Sequence, residues 1–207
     1  MMTTDASRRR PRRWPRRVII VLLVLVLLAL FFRWQQEGIR PQTVAVDTPT
    51  LPAAFDGLRV VHLSDLHGKE FGEDNEKLLA RVAALEPDLI AITGDLIDRE
   101  EQLEMIPALA EGLTAIAPTY YVTGNHEWAV RRVNELKTLL ADSGVRVLTN
   151  GYEIWEKDGA TLAVVGVDDP NGPADQITGD VLRGAVNADY TILLTHRDTV
   201  EEYAGWG

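Results

Sequence analysis

Four short stretches of this chain carry side chains able to hold a metal ion. They are Asp65-Leu66-His67, Gly94-Asp95-Leu96-Ile97-Asp98-Arg99, Gly124-Asn125-His126-Glu127 and Thr195-His196. Carboxylate, amide oxygen and imidazole nitrogen together suit Mn, Fe or Zn better than calcium, which prefers oxygen alone. Cysteine is absent, which excludes disulfides and thiolate metal sites. Each stretch alone is commonplace: Gly-Asp is an ordinary turn, and a single histidine such as His196 is usually a satisfied side chain. Their order is not commonplace, because each follows an apolar run of strand length.

Those runs set the organisation of the chain. In VVHLSDLHG, residues 60 to 68, the apolar run ends at Ser64 and an acid and an imidazole follow at once. From Leu58 onward the pattern predicts a strand over 58–64, a helix near 74–85, a strand over 88–93, a helix near 101–116, a strand over 119–123 and a helix near 128–141. Pro87 closes the first of these helices and Pro118 the second, which Pro107 kinks or splits. A short strand over 145–148 precedes a hairpin, 152–157 with 160–167, turning at Asp158-Gly159. A helix near 175–186 leads to a strand over 190–195. Strand–helix alternation predicts an α/β fold with parallel strands, and the hairpin predicts a second, mixed sheet. Ligands of such sheets bind beyond the carboxyl ends of the strands, where the four stretches lie. Gly94 and Gly124 are read as sharp turns just before the ligands.

The series Asp65-x-His67, Gly94-Asp95-x-x-Asp98-Arg99, Gly124-Asn125-His126-Glu127 and Thr195-His196 resembles the calcineurin-like metallophosphoesterase superfamily over residues 57 to 207. With the apolar N-terminal segment, VVHLSDLHG looks most like its YkuE-like branch of membrane-associated bacterial phosphodiesterases. The resemblance implies a four-layer α/β/β/α sandwich and two divalent metal ions, Mn, Fe or Zn. It implies that Asp65 and His67 bind the first ion, that Asp95 bridges both, and that Asn125 and His196 bind the second. His126 would contact the scissile phosphate or help the leaving group, Asp98 would orient His126, and Arg99 would hold a phosphate oxygen. The expected reaction is hydrolysis of a phosphate ester. The superfamily usually adds a later Gly-His-x-His, one histidine per metal. The histidines here are 62, 67, 126 and 196, so each ion is expected to lack one ligand. The sequence thus reads as a C-terminally truncated enzyme, with a membrane-anchored protein that keeps the fold without catalysis as the alternative.

The N-terminal segment has its own character. Residues 1–17 hold seven arginines and one acid, a net +6, against −16 for the remainder. Residues 18–32, VIIVLLVLVLLALFF, contain no polar side chain and span about 22 Å as a helix. Trp14 and Trp34 flank the stretch as interfacial anchors, and Arg16, Arg17 and Arg33 can snorkel. A buried core helix is disfavoured by apolarity all round beside dense arginine. A cleaved signal peptide would need a small-residue cleavage site that is not evident after Leu30. The reading is an uncleaved signal anchor, with a loose twin-arginine match at Arg16-Arg17. The organisation becomes a basic cytoplasmic tail over 1–17, a transmembrane anchor over 18–34, a linker over 35–57 with at most an edge strand at TVAVD, and a phosphoesterase domain over 58–207. The protein would be single-pass, its domain outside the cytoplasm, near lipid or cell-envelope phosphodiesters. Its acidic body disfavours nucleic acid as a partner.

Several nearby residues are set aside. His62 lies mid-strand, three residues before Asp65, and reads as structural. Asp168 and Asp169 read as turn formers before Pro-Asn-Gly. Glu127 reads as a helix cap or a positioning group, and Trp155 as packing within the hairpin.

Overall fold

The computed structural model describes residues 14–172 and 187–198. The chain divides into two compact units, residues 1–43 and 44–207.

The described part of the first unit is one helix, α1 (Trp14–Glu37), 24 residues long. No proline or glycine interrupts it after Pro15, and leucine sustains it. Its side chains from Val18 to Phe31 are exposed and apolar on every face. The expected transmembrane anchor is met only as a helix. Among the described residues no helix is long and apolar enough to cross a membrane, the described side chains of α1 running only from Arg16 to Phe31.

In the second unit, four parallel strands form one sheet in the order β1 (Val60–Leu63), β2 (Leu89–Thr93), β3 (Thr119–Val122) and β4 (Arg146–Val147). Every residue of β2 and β3 is buried, as befits central parallel strands covered on both faces. Helices α2 (Glu76–Ala83), α3 (Ile106–Thr114), α4 (Asn125–Val130) and α5 (Val133–Asp142) connect these strands. Leu78, Val82, Ile106, Leu109, Leu113, Leu136 and Leu140 form the buried stripes of α2, α3 and α5. Burying each such side chain contributes about 1.5–3 kcal/mol.

The second sheet has the order β5 (Gly151–Lys157), β6 (Ala160–Gly166) and β7 (Tyr190–Leu194). β5 pairs antiparallel with β6 through a turn at Asp158 (φ 52°) and Gly159 (φ 81°), the double positive φ of the favoured two-residue hairpin. β6 pairs parallel with β7, so the sheet is mixed, as expected. The two sheets meet face to face. Leu89, Ala91, Tyr120 and Val122 of the first pack with Leu162, Val164 and Leu194 of the second. The fold is therefore α/β with a parallel sheet, and two sheets and one helical layer of the expected sandwich are described. The helix expected near 175–186 falls outside the described residues.

Three local expectations are corrected, and a fourth, the split of the helix near 101–116, is met. TVAVD forms no strand; it is open coil with Val44 and Val46 exposed. The helix expected over 128–141 is two helices, because Asn125 already opens α4 and Arg131 (φ 61°) ends it in the left-handed region. The segment 101–116 is a 3-10 helix, Glu100–Met105, followed by α3. Pro107 sits in the first turn of α3, where its missing N–H is harmless. Trp155 does not pack only within its hairpin: its indole N–H donates to the Tyr120 hydroxyl of the other sheet at 2.7 Å.

Candidate metal centre

The carboxyl ends of β1, β2, β3 and β7 converge, each delivering the residue type expected there. The loops after β1 and β2 run side by side beyond the strands. Asp65 N–H donates to Gly94 O at 3.2 Å, His67 N–H to Asp95 O at 2.9 Å and Gly68 N–H to Leu96 O at 2.6 Å. Both loops take unusual backbone: Asp65 (φ 56°), His67 (φ 51°) and Asp95 (φ 53°) are all left-handed. Asp and His tolerate this region better than most residues, yet each such position costs on the order of 1 kcal/mol.

Gly94 and Gly124 serve different ends. Gly94 has φ +80°, and a Cβ there would meet the backbone nitrogen of Gly124 at 2.2 Å. Gly124 has φ −104°, which any residue adopts, so the expected sharp turn is absent. Glycine is needed there because a Cβ would lie 2.2 Å from Asp95 Oδ1. The β2 and β3 loops thus touch backbone to backbone.

Asp95 is the buried centre, 3 % exposed. Its Oδ1 accepts the His126 N–H at 3.0 Å, and its Oδ2 lies 3.5 Å from His196 Nε2 and 3.7 Å from His126 Nε2. Asp65, half exposed, lies with Oδ1 3.7 Å from His67 Nε2, and its other oxygen accepts the Ser64 hydroxyl. Asp98 Oδ1 accepts from Nδ1 of both His67, at 2.6 Å, and His126, at 2.7 Å. The two rings meet edge to face at 4.8 Å. His67 is held above its ordinary pKa chiefly by the Asp98 hydrogen bond. The Asp98 carboxyl sits below its ordinary value: desolvation, which raises it, is outweighed by the bonds from His67 and His126. His196 Nδ1 donates to the Thr93 carbonyl at 2.8 Å, and Nε2 faces Asn125 Oδ1 at 3.2 Å. Arg99 is exposed at the start of the 3-10 helix, its N–H donating to Gln102 Oε1 at 2.9 Å.

This donor set fits divalent cations. In each neutral imidazole, Nδ1 carries the proton, because Asp98 and the Thr93 carbonyl only accept. Nε2 is then a bare lone pair, and in His67, His126 and His196 it faces a carboxylate. For His196 it also faces a carbonyl oxygen. Lone pair against lone pair is repulsive unless a proton or a metal cation lies between them. Asp65, His67 and Asp95, and also His67, Asp98 and His126, offer ligand atoms within 4.8 Å of one another. The acceptor behind each imidazole, Asp98 for His67 and His126 and the Thr93 carbonyl for His196, is the arrangement that orients metal-binding histidines.

Three residues set aside on the sequence do more than expected. Glu127 is fully buried and accepts four backbone N–H groups: Leu96 at 2.5 Å and Ile97 at 3.4 Å on Oε1, and Gly124 at 2.7 Å and Asp95 at 3.0 Å on Oε2. Burial nonetheless pushes its carboxyl up. The spacing from Gly124 to Glu127 is half of a capping box, which was the available signal. Asp168 and Asp169 are 2 % and 1 % exposed and ion-paired, to Lys137 at 2.6 Å and to Arg197 at 2.7 Å, so they are more than turn formers. His62 bonds to a neighbouring strand, Nε2 to Thr93 Oγ1 at 2.6 Å.

Comparison with known proteins places this geometry. YkoQ of Bacillus subtilis, named as an uncharacterized metallophosphoesterase, is 25 % identical over 86 % of this chain and 68 % of its own length. A bovine protein named as a transmembrane protein with a metallophosphoesterase domain is 31 % identical over 88 % of this chain and 44 % of its own. YkuE of B. subtilis, also named as an uncharacterized metallophosphoesterase, is 29 % identical over 60 % of this chain and 46 % of its own. The chain thus spans about two thirds of one relative and under half of the other two. Residues 58–206 match the calcineurin-like phosphoesterase family, and the chain belongs to it.

Proposed function

We propose that this protein hydrolyses a phosphate ester with a pair of divalent metal ions held beyond the strand ends. The observation that carries this is the facing of His126 and His196 Nε2 toward one buried carboxylate oxygen of Asp95, with His67 Nε2 facing Asp65 beside them. Asp65, His67 and Asp95 would hold the first ion, and Asp95, Asn125 and His196 the second. Asn125 adds an oxygen donor without adding charge. Such ions, when bound, supply Lewis acidity toward a phosphoryl oxygen and water acidified toward neutral pH. The chain's own contribution is orientation and proton supply. Asp98 fixes the His126 ring through Nδ1, so that Nε2, in the doubly protonated imidazolium, would deliver its proton to the leaving oxygen as the P–O bond breaks and leave the neutral Nδ1–H form. Arg99 is assigned to a phosphate oxygen.

The substrate is read as a lipid or cell-envelope phosphodiester, with a soluble nucleotide as the competing class. The anchor over 18–34 is the reason, supported by the apolar run of α1 and by relatives named as transmembrane proteins. Residues 1–17 would be the cytoplasmic tail, 35–57 the linker and 58–207 the domain facing outside the cytoplasm. The test is hydrolysis of bis-p-nitrophenyl phosphate by the full chain. Chelation should abolish it, Mn should restore it, and Asp95→Asn should remove it. Activity that survives chelation, or persists in Asp95→Asn, would sink the proposal. For topology, a C-terminal tag digested by protease in cells with an intact inner membrane supports the orientation; a protected cytoplasmic tag refutes it.

A further inference from the structure

Asn125 and His196 face each other at 3.2 Å, yet they follow strands of different sheets, β3 and β7. Among the described residues no ladder of backbone hydrogen bonds fixes their separation. Besides the His196 bond to Thr93, a second set of polar contacts crosses between the sheets beside them, and it is centred on Thr123 and Asp169. The Thr123 hydroxyl uses its full capacity: it donates to Asp168 Oδ1 at 3.0 Å and accepts from Trp128 Nε1 and from the Asp169 N–H, each at 3.1 Å. Thr123 lies two residues before Asn125. The Asp169 carboxylate takes Arg197 in a two-pronged contact, Nε to Oδ2 at 2.7 Å and Nη2 to Oδ1 at 3.2 Å. Arg197 is the residue after His196. Asp169 therefore reaches toward both members of the pair, through its N–H to the Thr123 hydroxyl and through its fully buried carboxylate to the Arg197 side chain. A buried carboxylate so placed holds Arg197 tightly, because the carboxylate has no water to turn to.

We propose that Asp169 is a positioning residue that sets the spacing of Asn125 and His196, and with it the affinity for the second ion but not the first. The inference rests on the two-ion reading above. The experiment is Mn(II) titration of the full chain, stripped of metal, by calorimetry, with electron paramagnetic resonance to detect a coupled pair. The wild type should bind two ions. Asp169→Ala should weaken the second about 10–100-fold, the usual size of such outer contacts, and leave the first unchanged. The coupled signal should vanish at two equivalents and return at excess Mn(II). Asp169→Asn, which keeps acceptor capacity, should lie between, and Arg197→Lys, which keeps charge but loses the fork, should shift the same way. Arg197→Lys serves alone if Asp169→Ala does not fold. Wild-type affinity for both ions in the folded variants overturns the inference and leaves the two-ion reading standing. So does equal weakening of both ions in step with a lowered melting temperature. A wild type that binds fewer than two ions overturns both.

Discussion

Glu127 offers the sharpest test of how the centre is held. One buried carboxylate accepts four backbone N–H groups, three from the β2 loop and one from the β3 loop, at the point where the two loops meet. In Glu127→Gln one oxygen becomes an NH2 group that faces two N–H donors. Losing two charge-assisted bonds removes about 3–6 kcal/mol. Relief of a buried charge offsets part of this, which is why the carboxyl sits above its ordinary pKa despite four donors. The expected net loss is about 2–4 kcal/mol, a large share of the roughly 5–15 kcal/mol that holds a domain together. Glu127→Ala should lose more, since all four donors are then unpaired. Urea unfolding of the metal-free chain measures both directly. If both variants unfold within about 0.5 kcal/mol of wild type, the carboxylate does not hold the loops and the reasoning fails.

Gly124→Ala should push Asp95 aside, since the added Cβ would lie 2.2 Å from Oδ1; a displacement of about 1 Å predicts on the order of 100-fold loss of hydrolysis in the same ester assay. Tyr121 is buried with its hydroxyl unpartnered among the described residues, so Tyr121→Phe should raise stability by about 1 kcal/mol in urea unfolding. Gly159→Ala, at φ +81° with open space around it, should cost about 1–2 kcal/mol of stability and leave Mn(II) binding unchanged. Asp189 is held below its ordinary 3.8 by Thr161, whose N–H and hydroxyl donate to it at 2.8 and 2.9 Å. The folded state thus binds that proton less readily than the unfolded chain. The stabilisation is present above 3.8 and is lost as pH falls through the lower folded value. The gap in urea midpoint between wild type and Asp189→Asn should therefore close on acidification past 3.8.

What was legible in the sequence was local. β2 announces itself because LIAI is apolar without a break, and the hairpin because Asp-Gly joins two runs of strand length. The four ligand stretches stood out because each follows such a run. What was hidden depends on partners far along the chain. Asp168 and Asp169 look like turn residues until β6 is laid beside β7 and across from β3, which brings Thr123 and Arg197 to them. Glu127 shows its capping half, but not the three N–H groups of the β2 loop, about thirty residues away. The break at Arg131 carries no glycine or asparagine to mark it, and TVAVD alternates like a strand yet has no described strand beside it.

The left-handed residues explain why the ligands can be held this closely. A strand continued past Leu63 would keep Asp65 and His67 on one face but hold them about 6–7 Å apart along the strand. Instead the backbone turns at Asp65, His67 and Asp95, while the hydrogen bonds from Asp65, His67 and Gly68 to the β2 loop continue the contact between neighbouring strands. The first ligand pair therefore stays in register with Asp95 through backbone bonds inside one sheet. The second pair has no such bonds and depends on side chains, His196 on Thr93 and Arg197 on Asp169. A centre built this way has one half fixed by the fold and one half fixed by a few polar contacts, so substitutions in the Asp168–Asp169 loop should tune the second ion while the first, and the fold, stay in place.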